Sequence, residues 1–391
     1  MKGYNHIMNT NSIIFPNYNR CILNTITSIL KHYNVNTKHN GLKELDEILI
    51  NNYKNIVLII LDGMGEHILN NISPNNFFSK HHIAKLTTVC PSTTTAAITT
   101  YYSGKPPIET GWIAMSQYFK EYGRAIEMLR KTDSYTYEPL VNYNKDIYEL
   151  IKYTTIYEQI ENSSPDVKAY EILPSFCDVH SKRSINADNI EYLCESIKSI
   201  CTNKDNNFIL AYNENPDSLL HKYGCNSNEV KDFILNAEKK IEQLCFELQN
   251  TNTLIIISSD HGHKDIEKIY NIKDIEEIQD CIIMPPSLES RAVTFWVKEN
   301  KKEKFENYFK KNLKDDFLLF TKEEFLKDNL LGFGNKHKKI DDFLGNYIAI
   351  SIGSSILKLG TEISKKTPAK KSTHCGFTKD EMEVPLIIKK L

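Results

Sequence analysis

The chain has 391 residues, 41% of them hydrophobic and 25% charged, the make-up of an ordinary globular protein able to bury a large core. A formal net charge of -2 offers no global electrostatic attraction for a nucleic-acid polymer and argues against such a partner, and no run reaches the roughly 20 apolar residues of a membrane-spanning helix. Nine cysteines, an odd number without a Cys-x-x-Cys pair, argue against a disulfide framework; with residues 1–6 leading into a polar stretch that lacks an apolar signal core, they predict a soluble cytoplasmic chain with reduced thiols.

In chain order, residues 20–33 carry the pattern of an amphipathic helix, and the apolar run 56–61 reads as a strand buried on both faces. That strand ends in Asp62-Gly63-Met64-Gly65, which taken alone is equally a capped strand-to-helix turn. The segment 87–111, TTVCPSTTTAAITTYYSGKPPIETG, sets hydroxyl residues between Pro91 and the helix-favouring Ala96-Ala97-Ile98. A hydroxyl at a helix N-terminus faces free backbone N–H groups that stabilise a phosphoryl oxygen where it is attacked, although a plain Thr-rich cap is the commoner use of such a run. A threonine hydroxyl is a weak nucleophile, and with no Ser-His-Asp arrangement in view its activation falls to a metal.

Helical patterns over 147–161 and 190–201 precede a strand at 208–212, which leads through Asn213-Glu214-Asn215-Pro216 to Asp217. Pro216 suits a helix start, so Asp217 and His221, four residues apart, share one face; at that spacing a surface pair is the more frequent outcome. A helix over 229–248 and a strand over 254–259 follow, and the strand ends in Asp260-His261-Gly262-His263, where ligand-type neighbours directly after a buried run are harder to explain structurally.

This alternation predicts an α/β fold, a mostly parallel central sheet sandwiched by helices, with its carboxylates gathered at the carboxyl edge of the strands. Residues 264–346 have a different texture: a strand over 292–297, a charged helix over 301–313 and a second charged segment over 322–329 predict a small inserted α/β subdomain. Residues 1–263 and 347–391 then form the core, with a strand at 347–352 and the tail returning to the main sheet. The basic cluster 365–371 reads as a solvated loop ahead of His374.

Taken in order, Asp62, a threonine after Pro91, Asp217 and His221, Asp260-His261 and His374 resemble the motif series of the alkaline phosphatase superfamily, most of all its type I phosphodiesterase / nucleotide pyrophosphatase branch, over 56–388. The resemblance implies one divalent ion held by Asp217, His221 and His374, and a second held by Asp62, Asp260, His261 and the oxygen of Thr94, the nucleophile. Thr94 fits because Cys90-Pro91-Ser92-Thr93-Thr94 matches the family's Pro-x-x-Thr, with Thr93 and Thr95 as one-residue alternatives. Ser103-Gly104-Lys105-Pro106-Pro107 through Gly111 is similar to a further family element, and Thr373-His374-Cys375-Gly376 to its terminal His-Gly motif.

The chain also departs from the pattern. Thr110 stands where the family has His, and the family's phosphate-binding Asn is replaced around Met115, so phosphate contacts pass to Ser116, Gln117 or backbone; Cys375 replaces a common Gly, which alters the turn more than the ligation. His263 has no family role and reads as a supporting residue. The implied activity is hydrolysis of a phosphodiester or nucleotide pyrophosphate, a small-molecule substrate, through a phospho-threonine. Alternatives within the superfamily are a phosphomonoesterase, a phosphonate hydrolase or a phosphosugar transferase, and last a non-catalytic binding protein. Three histidines with three carboxylates suit Zn²⁺ first and Mn²⁺ next, ahead of the oxygen-preferring Mg²⁺.

Overall fold

A computed structural model describes residues 12–140, 146–359 and 369–391, so the amino-terminal stretch 1–11 and most of the basic cluster 365–371 lie outside the described residues. The first of two seven-stranded sheets runs in the order His82–Thr87, Glu383–Lys390, Thr253–Ser258, Asn55–Leu61, Asn206–Asn213, Val167–Leu173, Ser184–Asn186. From Thr253–Ser258 outward to Ser184–Asn186 every pairing is parallel, while Glu383–Lys390 is antiparallel to both its neighbours.

The central strands are apolar at every position because both faces are covered. Ile56, Leu58 and Ile60 feed one core, packed with Ile22, Ile26 and Ala97, whereas Val57, Ile59 and Leu61 feed another with Leu193, Ile197 and Ile234. Helices Ile22–His32, Thr94–Ser103 and Ile156–Ser163 thus contribute to the first face, and Ile190–Cys201 and Asn228–Glu247 to the second. The expected sandwich is present.

The second sheet runs Phe317–Thr321, Tyr347–Ser351, Ala292–Phe295, Ser287–Leu288, Ser116–Phe119, Arg124–Glu127, Thr132–Asp133, antiparallel throughout. Here 116–133 meets strands drawn from 264–346. It also takes Tyr347–Ser351, correcting the expectation that 347–352 returns to the main sheet. All five residues of this strand are buried, Ile348 and Ile350 in one core and Tyr347 and Ala349 in another, so its composition asks only for two covered faces and either sheet supplies them. The tail does return, through Glu383–Lys390.

The helix expected over 147–161 is also corrected: it divides into Ile147–Leu150 and Ile156–Ser163. Thr155 stops it, since its hydroxyl accepts from Glu158 N while Glu158 accepts from Thr155 N, a reciprocal cap that starts a new helix. All nine cysteines are free, and no helix among the described residues is long and apolar enough to cross a membrane.

Candidate metal centre

Parallel pairing brings three strand ends to one edge. Leu61 lies beside Asn213 and Ile60 beside Ser258, so Asp62, Asp217 and Asp260 follow within a few residues of the same line. The ladder runs on past the strands: Asp62 N–H donates to Asn213 O at 3.0 Å, and Asp217 N–H to Asp62 O at 2.9 Å. Asp217 opens the helix Asp217–Tyr223, which sets His221 one turn further along the same face. His374 arrives from far down the chain because Ser372–Thr373 pairs antiparallel with Lys264–Asp265, directly after the Asp260-His261-Gly262-His263 turn.

That turn is packed against the returning chain without room for a side chain. A Cβ on Gly262 would lie 2.0 Å from Asp380 O, and Gly262 N–H donates to Glu381 O at 2.9 Å. Gly262→Ala is therefore expected to lower stability by about 1–3 kcal/mol and shift His261 and His263 together. A thermal melt matching the native protein would contradict it.

Two groups of ligand-type side chains result, Asp217, His221, His263 and His374 in one and Asp62, Asp260 and His261 in the other, each with donor atoms within 4.8 Å of one another. They adjoin, since the rings of His261 and His374 stack with centroids 3.8 Å apart at 20°. In the first group, Asp217 Oδ1 lies 2.5 Å from His263 Nε2, 3.5 Å from His221 Nε2 and 3.7 Å from His374 Nε2. All four histidines engage the other ring nitrogen with an oxygen: His221 Nδ1 with Ser372 O at 2.8 Å, His261 with Gly262 O at 3.1 Å, His263 with Ser372 Oγ at 3.0 Å and His374 with Ser92 O at 3.1 Å. That uniform use of Nδ1 turns Nε2 towards the carboxylates.

The electrostatics suit cations. Burial, then the Asp260 and Asp217 carboxylates, push Asp62 well above the usual carboxylate range. Asp62 Oδ1 and Asp260 Oδ2 are buried with no hydrogen-bond partner among the described residues. Burial also opposes charge on Asp217, but the His221, His263 and His374 rings outweigh it and hold that carboxyl well below its ordinary value. Burial keeps His221 and His374 below the usual imidazole range and lowers His263 to about 3, while Lys370 Nζ donates to His221 Nε2 at 3.0 Å.

Of the three candidate hydroxyls, Thr94 is the one at this cluster: Oγ1 donates to Asp62 Oδ2 at 3.4 Å and lies 3.1 Å from His261 Nε2. Thr93 donates instead to Glu289 Oε1 at 3.0 Å, and Thr95 points its hydroxyl at Met115 Sδ, 3.9 Å away. Thr94 is the first residue of helix Thr94–Ser103. Gln117, expected at the substrate, is buried and closes a turn: Oε1 accepts from Ile113 N and Ala114 N, and Nε2 donates to Gly111 O. Ser116 bonds Ser134 Oγ at 2.7 Å.

Three contributors escape the motif series. Tyr212 OH donates to Asp62 Oδ2, His263 joins the first group, and Ser372 carries both His221 and His263. His263 was signalled by its place two residues after His261; the other two depend on tertiary contact alone. Beside Thr94 opens a cavity of about 640 Å³ whose walls include Tyr102, Trp112, Tyr148, Tyr153, Phe176 and Tyr212.

A sequence model of the family described as type I phosphodiesterase / nucleotide pyrophosphatase matches residues 56–330. No curated protein matches the chain. Among solved structures, murine ectonucleotide pyrophosphatase / phosphodiesterase 5, as an inactive threonine-to-alanine variant in complex with AMP, is similar with a TM-score of 0.62 at 16% identity, over 85% of this chain and 87% of that one. Phosphonoacetate hydrolase from Sinorhizobium meliloti, in complex with phosphonoformate, is similar with a TM-score of 0.60 at 14% identity, over 85% and 89%. At such identities the likeness speaks for the shared fold.

Proposed function

The chain belongs to the type I phosphodiesterase / nucleotide pyrophosphatase family of the alkaline phosphatase superfamily and is a phosphoester hydrolase; on that premise we propose that it cleaves phosphodiester or pyrophosphate bonds of small molecules, with Thr94 as nucleophile and two divalent ions. The residues fit such ions. Two buried carboxylate oxygens lack partners, three carboxylates crowd one site, and four imidazoles aim Nε2 inward. One ion falls to Asp217, His221 and His374, with His263 holding Asp217 in place, and the other to Asp62, Asp260, His261 and Thr94 Oγ1. Nitrogen-rich donors favour Zn²⁺, then Mn²⁺.

Bound there, the ions supply charge that makes the threonine oxygen a nucleophile and neutralises the leaving oxygen. The chain's own residues set the geometry. Asp62 accepts the Thr94 hydroxyl hydrogen bond and His261 flanks the same oxygen, while the open N–H groups at the start of helix Thr94–Ser103 face a phosphoryl group delivered to it. Thr94 Oγ1 bonds to phosphorus as the ester oxygen leaves with its alcohol or phosphate, and water then cleaves the phospho-threonine and restores the hydroxyl. The aromatic walls of the adjoining cavity suit a flat, apolar group on the ester.

The contact between His261 and His374 carries this reading, because it fuses residues more than a hundred positions apart into one centre beside Thr94. Stripping the protein with a chelator is expected to abolish hydrolysis of an aryl phosphodiester, and Zn²⁺ or Mn²⁺ to restore it. Undiminished turnover in protein free of transition metal would defeat the proposal.

A further inference from the structure

We propose that Glu289 sets the ester preference of this site, its carboxylate discriminating against doubly charged phosphate monoesters in favour of singly charged diesters. The inference deepens the Thr94 reading and rests on it. Glu289 follows strand Ser287–Leu288, and Leu288 holds a left-handed φ of +80° with its side chain buried, a backbone cost that fixes where the next residue projects.

Its Oε1 accepts from Thr93 Oγ1 at 3.0 Å, on the residue before the nucleophile, and from Met115 N at 2.7 Å. Met115 and Glu127 line both the cavity that holds Thr94 and a second one, about 370 Å³, to which Glu289 belongs. The carboxyl therefore lines a space that shares Met115 and Glu127 with the cavity at the reactive threonine. Burial raises its pKa above the ordinary carboxyl value, opposed by the Met115 and Thr93 hydrogen bonds and by the charges of Lys370 and His261.

Both hydrogen bonds arrive at Glu289 as acceptor, and Met115 beside it offers an apolar side chain. An extra phosphoryl charge that approaches Glu289 meets a like charge, with Lys370 as the counter-charge lining the same space. A monoester carries nearly two negative charges above its second pKa of about 6, whereas a diester carries one. In a partly desolvated site the second charge is repelled strongly.

The test compares p-nitrophenyl phosphate with methyl p-nitrophenyl phosphate, which share a leaving group, at about pH 8, where the monoester is fully ionised. Metal-loaded wild type, Glu289→Gln and Glu289→Asp are assayed for kcat/KM. The glutamine keeps the acceptor oxygen for Thr93 and Met115 but removes the charge, and it is expected to shift the ratio towards the monoester at least tenfold; the aspartate retains the wild-type ratio. An unchanged ratio in Glu289→Gln, equal shifts in both variants, or loss of both activities in a folded, metal-loaded Glu289→Gln would overturn the inference while leaving the hydrolase reading intact. A measurement without variants bears on the same point: dimethyl phosphate should inhibit the wild type more strongly than monomethyl phosphate, and the reverse order counts against the role. Wild type that cleaves neither ester with any metal refutes the Thr94 reading, and this inference with it.

Discussion

Thr94→Ala is expected to reduce turnover by at least about 10³-fold while metal content stays near that of the native protein. No neighbour can take over the attack. The Thr93 hydroxyl is committed to Glu289 and the Thr95 hydroxyl lies against Met115, while Oγ1 of Thr94 is the one that meets both Asp62 and His261. The carboxylates and imidazoles of both groups remain in the variant, so ions are retained and the defect lies in chemistry rather than in assembly. Thr94→Ser, which keeps the oxygen, should recover part of the rate. Single-turnover kinetics alongside elemental analysis check both halves; a variant turning over at the native rate would remove Thr94 from the mechanism.

The second large effect concerns stability. Arg291 is fully buried and makes a bidentate pair with Glu381, Nε to Oε1 and Nη2 to Oε2 at 2.7 Å each, and its remaining donors reach Ser355 O at 2.9 Å and Gly353 O at 2.5 Å. Glu381 in turn accepts from Gly376 N at 2.7 Å and from the Thr378 hydroxyl at 2.5 Å. This network ties the strand Ala292–Phe295 of the second sheet to the loop that follows His374. Arg291→Met strands a buried carboxylate, and Glu381→Leu strands a buried guanidinium, so each alone should cost about 3–5 kcal/mol. The double variant should lose clearly less than their sum, because replacing a buried pair by apolar groups leaves no orphaned charge. Denaturant titrations that give simple additivity would contradict this account. Weaker metal retention is expected to accompany either single change, since His374 sits two residues from Gly376.

Much of the centre was legible because its residues follow local rules. A strand apolar at every position leaves its first polar residue at the sheet edge, which exposed Asp62 and Asp260 as candidates, and Pro216 followed by Asp217 and His221 reads as a helix start with two groups on one face. His374 was reachable only through the order of motifs. The second sheet was not legible at 116–133, where strands of two to four residues are too short for alternation to stand out from loop. The strand Tyr347–Ser351 was found, yet its sheet was not, since burial on both faces carries no address. Tyr212, Ser372 and Glu289 act through partners 150, 151 and 196 residues away, and such contacts are set by packing instead of by any local pattern.

Crystals of the protein grown with Zn²⁺ and measured at the zinc absorption edge test the central claim most directly. Two anomalous peaks are expected, one among Asp217, His221 and His374 and one among Asp62, Asp260 and His261, the latter in contact with Thr94 Oγ1. Full zinc loading with no peak in either group, or with a single peak remote from Thr94, would contradict it.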